Sequence, residues 1–316
     1  MLVMVLLSFA AAAASAGPPG GAMKLTLLAA GEGGNACLDG TPFGYYVATN
    51  SSSSDWVIDI AGGGWCTTAA ECLQRIDGTS SNRLASSSGW GPIGGGSGIT
   101  SANVADNPVF ATYNRVSFPY CDGSSFTSHR ETPLPTPNGS KTALLHMRGA
   151  ANLRAAIASL KKRHGMKHVR HLVVTGGSAG GLSTFLHTDL LGQLAGAQDV
   201  VGMPDAGAFR VLPPPACCAW ADIVALHNAT GALNPKCVAT ENRKPTAAGL
   251  GGDNSAWRCF TAPTLLGGGY VKAPLFVLQS QFDHFQVRCW VAALLLATAC
   301  CARPLLYTRR QQLLIV

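Results

Sequence analysis

The chain has 316 residues, of which 47% are hydrophobic and 12% charged, and its formal net charge is +7. This composition excludes an intrinsically disordered protein and predicts one large globular domain with a packed core. The charge does not identify an anionic partner, because four of the arginines lie after Asp283, where no acidic residue follows: Arg288, Arg303, Arg309 and Arg310.

The first segment has the pattern of a secretory signal peptide. Met1 to Ala14 is apolar, and Ala14-Ser15-Ala16 fits a small-x-small cleavage site, although no Lys or Arg precedes the apolar part. The alternative is a buried N-terminal helix, but a Gly- and Pro-rich segment over 17–20 follows directly and argues against it. We therefore expect a signal peptide over 1–16 and a secreted protein of the extracellular space or cell wall.

The cysteines and three asparagines fit an exported protein. Eleven cysteines predict disulfide bonds. Cys66 and Cys72 are close enough for a local bridge, and our hypotheses for longer bridges are Cys37 with Cys121 and Cys237 with Cys259. Zinc is the competing explanation, which we set aside because no CxxC pair has a second pair at zinc spacing. Glycosylation sequons begin at Asn50, Asn138 and Asn228.

Strand and helix patterns alternate along the rest of the chain. Apolar runs predict buried strands at 56–60, 116–118, 171–175 and 273–278. Helical periodicity predicts helices over 144–164 and 179–191, and Gly-, Ser- or Pro-rich stretches predict surface loops at 51–54, 86–98 and 133–139. This order predicts an α/β fold with a mostly parallel sheet and helices on both faces.

The segment Gly176-Gly177-Ser178-Ala179-Gly180 is a Gly-x-Ser-x-Gly motif between a predicted strand and a predicted helix. In that context the serine stands on a sharp, strained turn, where its hydroxyl projects above the carboxyl end of the sheet. The helix N-terminus behind it favours developing negative charge. An ordinary glycine-rich turn or a phosphate-binding loop are the alternatives. The motif makes Ser178 a candidate nucleophile.

Two further features strengthen the case for a serine hydrolase. A glycine triplet, Gly62-Gly63-Gly64, directly follows a predicted strand. In α/β-hydrolases, a loop in this position aims backbone N–H groups at the oxyanion. Asp283 comes just after the last predicted strand, and serine before acid is the α/β-hydrolase order. A lone Asp after a strand is more often a helix cap or turn residue, so Asp283 alone is a weak signal.

Together these residues resemble the plant pectin acetylesterases, with the animal Notum carboxylesterases as more distant relatives. The resemblance runs from about Cys37 to Gln286. It rests on these segments in order: Cys37-Leu38-Asp39-Gly40-Thr41-Pro42, Gly62-Gly63-Gly64-Trp65-Cys66, Asn114-Arg115-Val116, Tyr120-Cys121-Asp122-Gly123-Ser124-Ser125-Phe126, His146-Met147-Arg148-Gly149-Ala150, Gly177-Ser178-Ala179-Gly180-Gly181-Leu182, Asp205-Ala206-Gly207 with Phe209, and Ser280-Gln281-Phe282-Asp283.

The resemblance implies an α/β-hydrolase fold and removal of acetyl groups from pectin. It assigns Ser178 as the nucleophile, Asp283 as the triad acid, and Gly64, Trp65 and Ala179 to the oxyanion hole. It also implies disulfides and secretion, with no metal and no organic cofactor. We expect an acetylated polysaccharide as substrate, a monomer, no nucleic-acid partner and no membrane span.

The chain departs from the family at the catalytic histidine, which in the family follows the aspartate by several tens of residues. Here His284 is the one histidine after Asp283, and adjacent side chains diverge along an extended segment. We therefore predict a C-terminally incomplete hydrolase domain over 17–286, a divergent tail over 287–316, and poor activity. The apolar run Cys289 to Ala302 is too short for a transmembrane helix, which needs about 20 residues.

The other histidines are weaker candidates. His164, His168 and His171 cluster at a predicted helix end and strand start, where cap and surface roles are favoured over a metal site. His187 is expected to pack against its helix's neighbours. His129, His146 and His227 precede the acid in the chain, in the wrong order for the triad.

Two alternative functions stay open at the level of sequence. A lipid-type carboxylesterase like Notum would need a deep apolar acyl pocket. A catalytically dead polysaccharide-binding protein would keep the cleft without the triad. Pocket depth separates the first alternative from an acetylesterase, and turnover of a small acetyl ester separates both enzymes from the second.

Overall fold

The computed structural model describes residues 22–78, 84–210, 219–244, 255–283 and 285–287. The predicted signal peptide, His284 and the tail beyond Val287 lie outside the described residues. The strands are β1 Met23–Leu27, β2 Gly44–Ala48, β3 Trp56–Ile60, β4 Ile93–Gly94, β5 Asn114–Phe118, β6 Leu134–Asn138, β7 Lys141–Leu145, β8 His171–Gly177 and β9 Asp199–Asp205. The α-helices are α1 Ala69–Ile76, α2 Gly149–Arg163, α3 Ala179–Ala195, α4 Trp220–Leu226, α5 Pro235–Glu241 and α6 Ala262–Gly267.

A seven-stranded sheet in the order β4-β1-β2-β5-β3-β8-β9 organises the molecule. The four neighbouring strands β5, β3, β8 and β9 run parallel, while β1 and β2 join them in antiparallel pairs. The strands predicted at 56–60, 116–118 and 171–175 are confirmed as β3, part of β5 and part of β8. The predicted mostly parallel α/β sheet is therefore confirmed, with its parallel part around β8.

The segment over 273–278 extends this sheet beyond β9. Leu275 pairs in parallel with Gly202, and Leu278 pairs with Asp205. The prediction of a buried strand was wrong about burial, because Phe276 is 45% exposed and Leu278 is 42% exposed. An apolar run identifies an extended segment, but it does not say what covers that segment.

Several element boundaries differ from the predictions; the loop expected over 86–98, for example, contains β4. The helix expected over 144–164 begins at Gly149, because Leu144 and Leu145 belong to β7. The expected loop over 133–139 contains β6, which forms a separate antiparallel hairpin with β7. Pro135 and Pro137 lie in β6 and are tolerated there, because each strand of a two-stranded hairpin has an edge without a partner.

The main core lies between one face of the sheet and helices α2 and α3. Leu153 and Ile157 of α2 and Leu191 of α3 pack there with Ile58 and Phe118 of the sheet. The opposite face, which carries Asp59, Thr175 and Met203, meets the segment over 98–110. Fully burying one apolar side chain of the main core stabilises the fold by about 1.5–3 kcal/mol. The core between the sheet, α2 and α3 therefore sets the position of β8 and α3.

All three predicted disulfide bonds are confirmed: Cys37–Cys121, Cys66–Cys72 and Cys237–Cys259. The first joins residues 84 positions apart and ties the segment before β2 to the end of β5. The second closes the connection between the glycine triplet and α1, because Cys72 lies in that helix. Among the described residues, no helix combines the length and the apolar character that crossing a membrane requires.

Candidate active site

Ser178 stands on a sharp turn between β8 and α3. Its backbone has φ 57° and ψ −123°, a region that non-glycine residues rarely adopt, and its side chain is exposed. The Ser178 N–H donates to the Asp205 carbonyl at 3.0 Å, and the Ser178 carbonyl accepts the Leu182 N–H at 3.0 Å. The surrounding chain thus maintains a conformation that costs about 1–3 kcal/mol, as is common at functional sites.

The glycines around Ser178 permit close packing of the turn. A Cβ atom on Gly176 would lie 2.5 Å from the Ile60 carbonyl oxygen, and one on Gly180 would lie 1.9 Å from the same atom. A Cβ on Gly181 would lie 2.3 Å from the Asp205 oxygen. Any side chain at these positions would push β8 and α3 away from β3 or β9, so the turn depends on glycine.

The glycine triplet lies directly against this turn. A Cβ on Gly62 would lie 2.3 Å from the Gly177 oxygen and 3.2 Å from the Ala179 nitrogen. Gly64 has φ +63°, a left-handed conformation that favours glycine. The structure therefore brings the loop over 62–65 together with Ser178 and Ala179 at the carboxyl edge of the sheet.

Side chains of α1 and of the segment after β5 hold the carbonyl groups of this loop. The Arg75 guanidinium donates to the Gly63 oxygen at 2.9 Å and to the Trp65 oxygen at 2.8 Å. The Tyr120 hydroxyl donates to the Gly64 oxygen at 2.7 Å. Because C=O and N–H point in opposite directions across a planar trans peptide, the N–H groups of Gly64 and Trp65 point away from Arg75 and Tyr120.

The backbone N–H groups of Gly64, Trp65 and Ala179, which the family resemblance assigns to the oxyanion hole, are among those without a protein acceptor in the described part of the chain. Two belong to the glycine loop and the third begins α3. Unpaired backbone donors near an exposed serine are the parts of an oxyanion hole. The arrangement can therefore stabilise negative charge that develops on an oxygen beside Ser178.

Sequence reasoning missed Arg75 and Tyr120 as supports of this loop. Arg75 lies in α1, and nothing in the spacing of that helix marks it as a contact of the glycine triplet. Tyr120 belongs to one of the segments that carry the family resemblance, and this was its one sequence signal. Both roles depend on side-chain contacts with backbone atoms that only the folded structure brings together.

A buried turn over 122–128 lies beneath the loop. The Asp122 carboxylate accepts the Phe126 N–H at 2.9 Å and the Ser124 hydroxyl. Ser125 and Phe126 both have left-handed φ values, 54° and 59°. Burial raises the pKa of Asp122 to about 6, because the charged form is poorly solvated there.

Asp283 follows the segment that pairs with β9, so β9 lies between it and β8. One carboxylate oxygen accepts the Gln286 N–H at 3.1 Å, and the other accepts the side-chain amides of Gln279 and Gln286 at 3.0 Å each. These are contacts of a turn cap, the alternative considered for a lone Asp after a strand. No described contact joins Asp283 to Ser178, and its triad role stays a prediction.

The buried histidines bond to backbone carbonyls. His187 Nε2 lies 2.9 Å from the Ser125 oxygen, and His227 Nε2 lies 3.0 Å from the Cys66 oxygen. Burial lowers the pKa of each to about 4, so both are neutral at pH 7. The packing role predicted for His187 is confirmed. His227 also approaches Cys66 and Cys72, but these two form a disulfide and are not available as metal ligands.

An aromatic cluster packs against Trp65 of the glycine loop. The Trp65 ring contacts Phe209 and Trp220 edge-to-face, with both centroid distances 5.0 Å. Phe209 and Trp220 are buried. The apolar region beside Trp65 is thus filled by side chains of the protein itself.

Comparison with known proteins places the chain in a family. The family model described as Pectinacetylesterase matches residues 18–300. Pectin acetylesterase 11 of Arabidopsis thaliana is 33% identical over 276 residues, which cover 84% of this chain and 64% of that protein. The palmitoleoyl-protein carboxylesterase notum2 of Xenopus laevis is 30% identical over 80% of this chain and 50% of its own length.

A solved structure is also similar. The Wnt deacylase Notum from Drosophila superposes with a TM-score of 0.70 at 27% sequence identity, covering 85% of this chain and 74% of that one. This likeness supports an α/β-hydrolase-like fold for the chain. This chain belongs to the pectinacetylesterase family.

Proposed function

We propose that the chain is a serine carboxylic-ester hydrolase that removes acetyl groups from pectin or a related cell-wall polysaccharide. The observation that carries the proposal is the strained, exposed Ser178 lying against the glycine loop and its unpaired N–H groups. The family membership supports the substrate class. Extracellular location, a monomeric state and binding of an acetylated polysaccharide belong to the same proposal.

The proposed reaction has two steps. Ser178 Oγ attacks the acetyl carbonyl carbon, its proton passes to a base, and the sugar oxygen leaves with a proton as a free hydroxyl group. Water then attacks the acetyl group on Ser178 and releases acetate, which restores the serine hydroxyl. In both steps the carbonyl oxygen becomes negative, and the N–H groups of Gly64, Trp65 and Ala179 stabilise that charge.

The relatives favour a small acyl group over a long one, since Pectin acetylesterase 11 is 33% identical to this chain and the carboxylesterase notum2 is 30% identical. A long apolar chain needs a deep apolar pocket, and among the described residues Phe209 and Trp220 pack against the Trp65 ring at centroid distances of 5.0 Å. An acetyl group needs room for one methyl group. We therefore prefer an acetylesterase to the alternative of a lipid-type carboxylesterase.

The weakest part of the site is the base. We propose Asp283 as the triad acid, but no histidine in the described residues contacts either Ser178 or Asp283. In a serine protease, loss of one triad member lowers turnover by up to about 10⁶-fold. We therefore expect slow turnover by the 316-residue chain.

The test compares the parent chain with Ser178→Ala and His284→Ala, following acetate release from acetylated pectin and hydrolysis of 4-nitrophenyl acetate. We expect slow hydrolysis that Ser178→Ala abolishes and His284→Ala leaves unchanged. A chimera that carries the C-terminal region of a plant relative should gain turnover. Fast hydrolysis that His284→Ala abolishes would show that His284 is the base. Pectin binding with no Ser178-dependent turnover in parent or chimera would instead support the polysaccharide-binding alternative.

A further inference from the structure

We infer that Ser125 is a positioning residue that couples the glycine loop to the N-terminus of α3. The inference rests on the proposed function and deepens it, because it identifies what holds two separate halves of the oxyanion hole in one geometry. Ser125 is fully buried and cannot reach an ester at Ser178 through solvent. Its effect on the reaction must therefore pass through its neighbours.

The Ser125 side chain makes one hydrogen bond to each half. The Trp65 indole N–H donates to Ser125 Oγ at 2.8 Å, and the Ser125 hydroxyl lies 2.8 Å from the Ala179 oxygen. An indole N–H can only donate and a carbonyl can only accept, so the direction of both bonds is fixed. The hydroxyl of one residue thus bridges the loop and the first residue of α3.

The Ser125 backbone adds two further connections. Its N–H donates at 2.8 Å to the Tyr120 hydroxyl, which itself donates to the Gly64 oxygen. Its carbonyl accepts from His187 Nε2 at 2.9 Å, so the neutral ring must carry its proton on Nε2. Every polar group of Ser125 therefore bonds to the glycine loop, to a support of that loop, or to α3.

The left-handed backbone at Ser125 indicates that this geometry is imposed by the surroundings. Two consecutive non-glycine residues, Ser125 and Phe126, have positive φ, which is unfavourable for residues with a Cβ atom. The buried Asp122 carboxylate holds the turn by accepting the Phe126 N–H. An oxyanion hole stabilises charge only when its donors are already oriented, and its donors here lie on two segments far apart in the chain.

Ser183 provides a matched control. Like Ser125, it is fully buried, and its hydroxyl donates to the Ala179 oxygen, here at 2.9 Å. Unlike Ser125, it has no hydrogen bond to the glycine loop within the described part of the chain. The substitutions Ser125→Ala and Ser183→Ala therefore remove the same chemical group and the same acceptor contact. Only the first removes the bridge to Trp65.

The experiment measures two properties of the parent chain and these variants. The first is the NMR signal of the Trp65 indole N–H, assigned from its disappearance in Trp65→Phe, together with its exchange with solvent. The second is the acetylation of Ser178 by 4-nitrophenyl acetate, resolved into a limiting rate and a half-saturation concentration. If Ser125→Ala does not fold, Trp65→Phe removes the same hydrogen bond from its other end and takes its place in the kinetic comparison.

We expect Ser125→Ala to shift the indole signal, speed its exchange and lower the limiting rate by about ten-fold, less than the loss of an oxyanion donor itself. The half-saturation concentration should stay the same. Ser183→Ala should match the parent in the indole signal, its exchange, the limiting rate and the half-saturation concentration. In a double-mutant cycle, adding Ser125→Ala to the Trp65→Phe variant should lower the limiting rate by a smaller factor than Ser125→Ala does in the parent, because the two residues share one contact.

An unchanged indole signal in Ser125→Ala would overturn the inference, since the bridge would then not exist in solution. A changed signal with a parent-like limiting rate would also overturn it, since the bridge would have no effect on the site. If the parent itself shows no acetylation of Ser178, the proposed function fails, and the indole measurement alone then decides whether Ser125 joins the two segments.

Discussion

At the scale of single residues, each glycine of the triplet over 62–64 answers a different physical requirement. Gly62 has no room for a side chain beside the Gly177 oxygen, and Gly63 has none beside the Tyr120 ring, 2.5 Å from its ideal Cβ. Gly64 needs its left-handed φ of +63°. Alanine at any of the three would therefore disturb the loop by a distinct route.

The buried carboxylate of Asp122 makes stability depend on pH. Its pKa is about 6 in the folded protein against an ordinary 3.8, because burial disfavours the charged form. A folded pKa above the unfolded value gives stability that is complete below the unfolded pKa and is lost as the pH rises through the folded one. The loss should therefore fall between about pH 4 and pH 6.

The variant Asp122→Asn should remove this loss, because an amide does not titrate and still offers an acceptor to the Phe126 N–H. We expect the free energy of unfolding of the parent, minus that of the variant, to fall by on the order of 3 kcal/mol between pH 4 and pH 7. Urea unfolding at a series of pH values measures this difference. His187 and His227 titrate in both proteins and cancel. A difference independent of pH would contradict the prediction.

The sequence was sufficient to predict the strand-to-helix turn at Ser178 and the glycine loop after β3, because both depend on local residue types; the catalytic roles stay predictions. It was not sufficient for Arg75, Tyr120 and Ser125. Their contacts are hydrogen bonds between a side chain and distant backbone or indole groups, and any polar residue could occupy such positions in a sequence. Only the folded arrangement shows which of them support the loop.

At the scale of secondary structure, the turn between β8 and α3 can be tested by two glycines of the same motif. An ideal Cβ on Gly180 would lie 1.9 Å from the Ile60 oxygen, whereas one on Gly177 meets nothing within 4 Å. We expect Gly180→Ala to lower the free energy of unfolding by at least about 2 kcal/mol, as overpacking does. Gly177→Ala should change it by less than about 1 kcal/mol. Chemical unfolding of both variants measures the contrast, and equal stabilities would contradict the packing described here.

Strong apolar runs predicted the central strands and α3 correctly, because buried parallel strands are apolar along their whole length. The errors came where local pattern and tertiary context disagree. Leu144 and Leu145 continue the apolar pattern of α2 but pair in the hairpin with β6. Pro135 and Pro137 indicate a loop. A two-stranded hairpin nevertheless accepts them, because proline lacks only an N–H group that the unpaired edge of the strand does not need.

At the scale of the whole molecule, apolar side chains accumulate at one edge of the sheet. Phe276, Leu278, Phe282, Phe285 and Val287 are all exposed, and Phe282 is 68% exposed. Contiguous apolar surface of this kind promotes association between molecules. We therefore expect the proposed monomer to self-associate only at high protein concentration.

The substitution Phe282→Ser should reduce this self-association, measured by sedimentation velocity over a concentration series. Ile93→Ser is the matched control, since Ile93 is 62% exposed but lies in β4 at the opposite edge of the sheet. An equal reduction by both variants would mean that general hydrophobicity, and not this edge, drives the association.

We propose Ser178 as the nucleophile of an ester hydrolase. The most direct test is to incubate the chain with 4-nitrophenyl acetate and locate the acetyl group by peptide mass spectrometry. Because we propose slow turnover, acetyl-Ser178 should accumulate, and it should be absent from Ser178→Ala. Acetyl groups confined to lysines, in the same pattern in parent and Ser178→Ala, would contradict the claim.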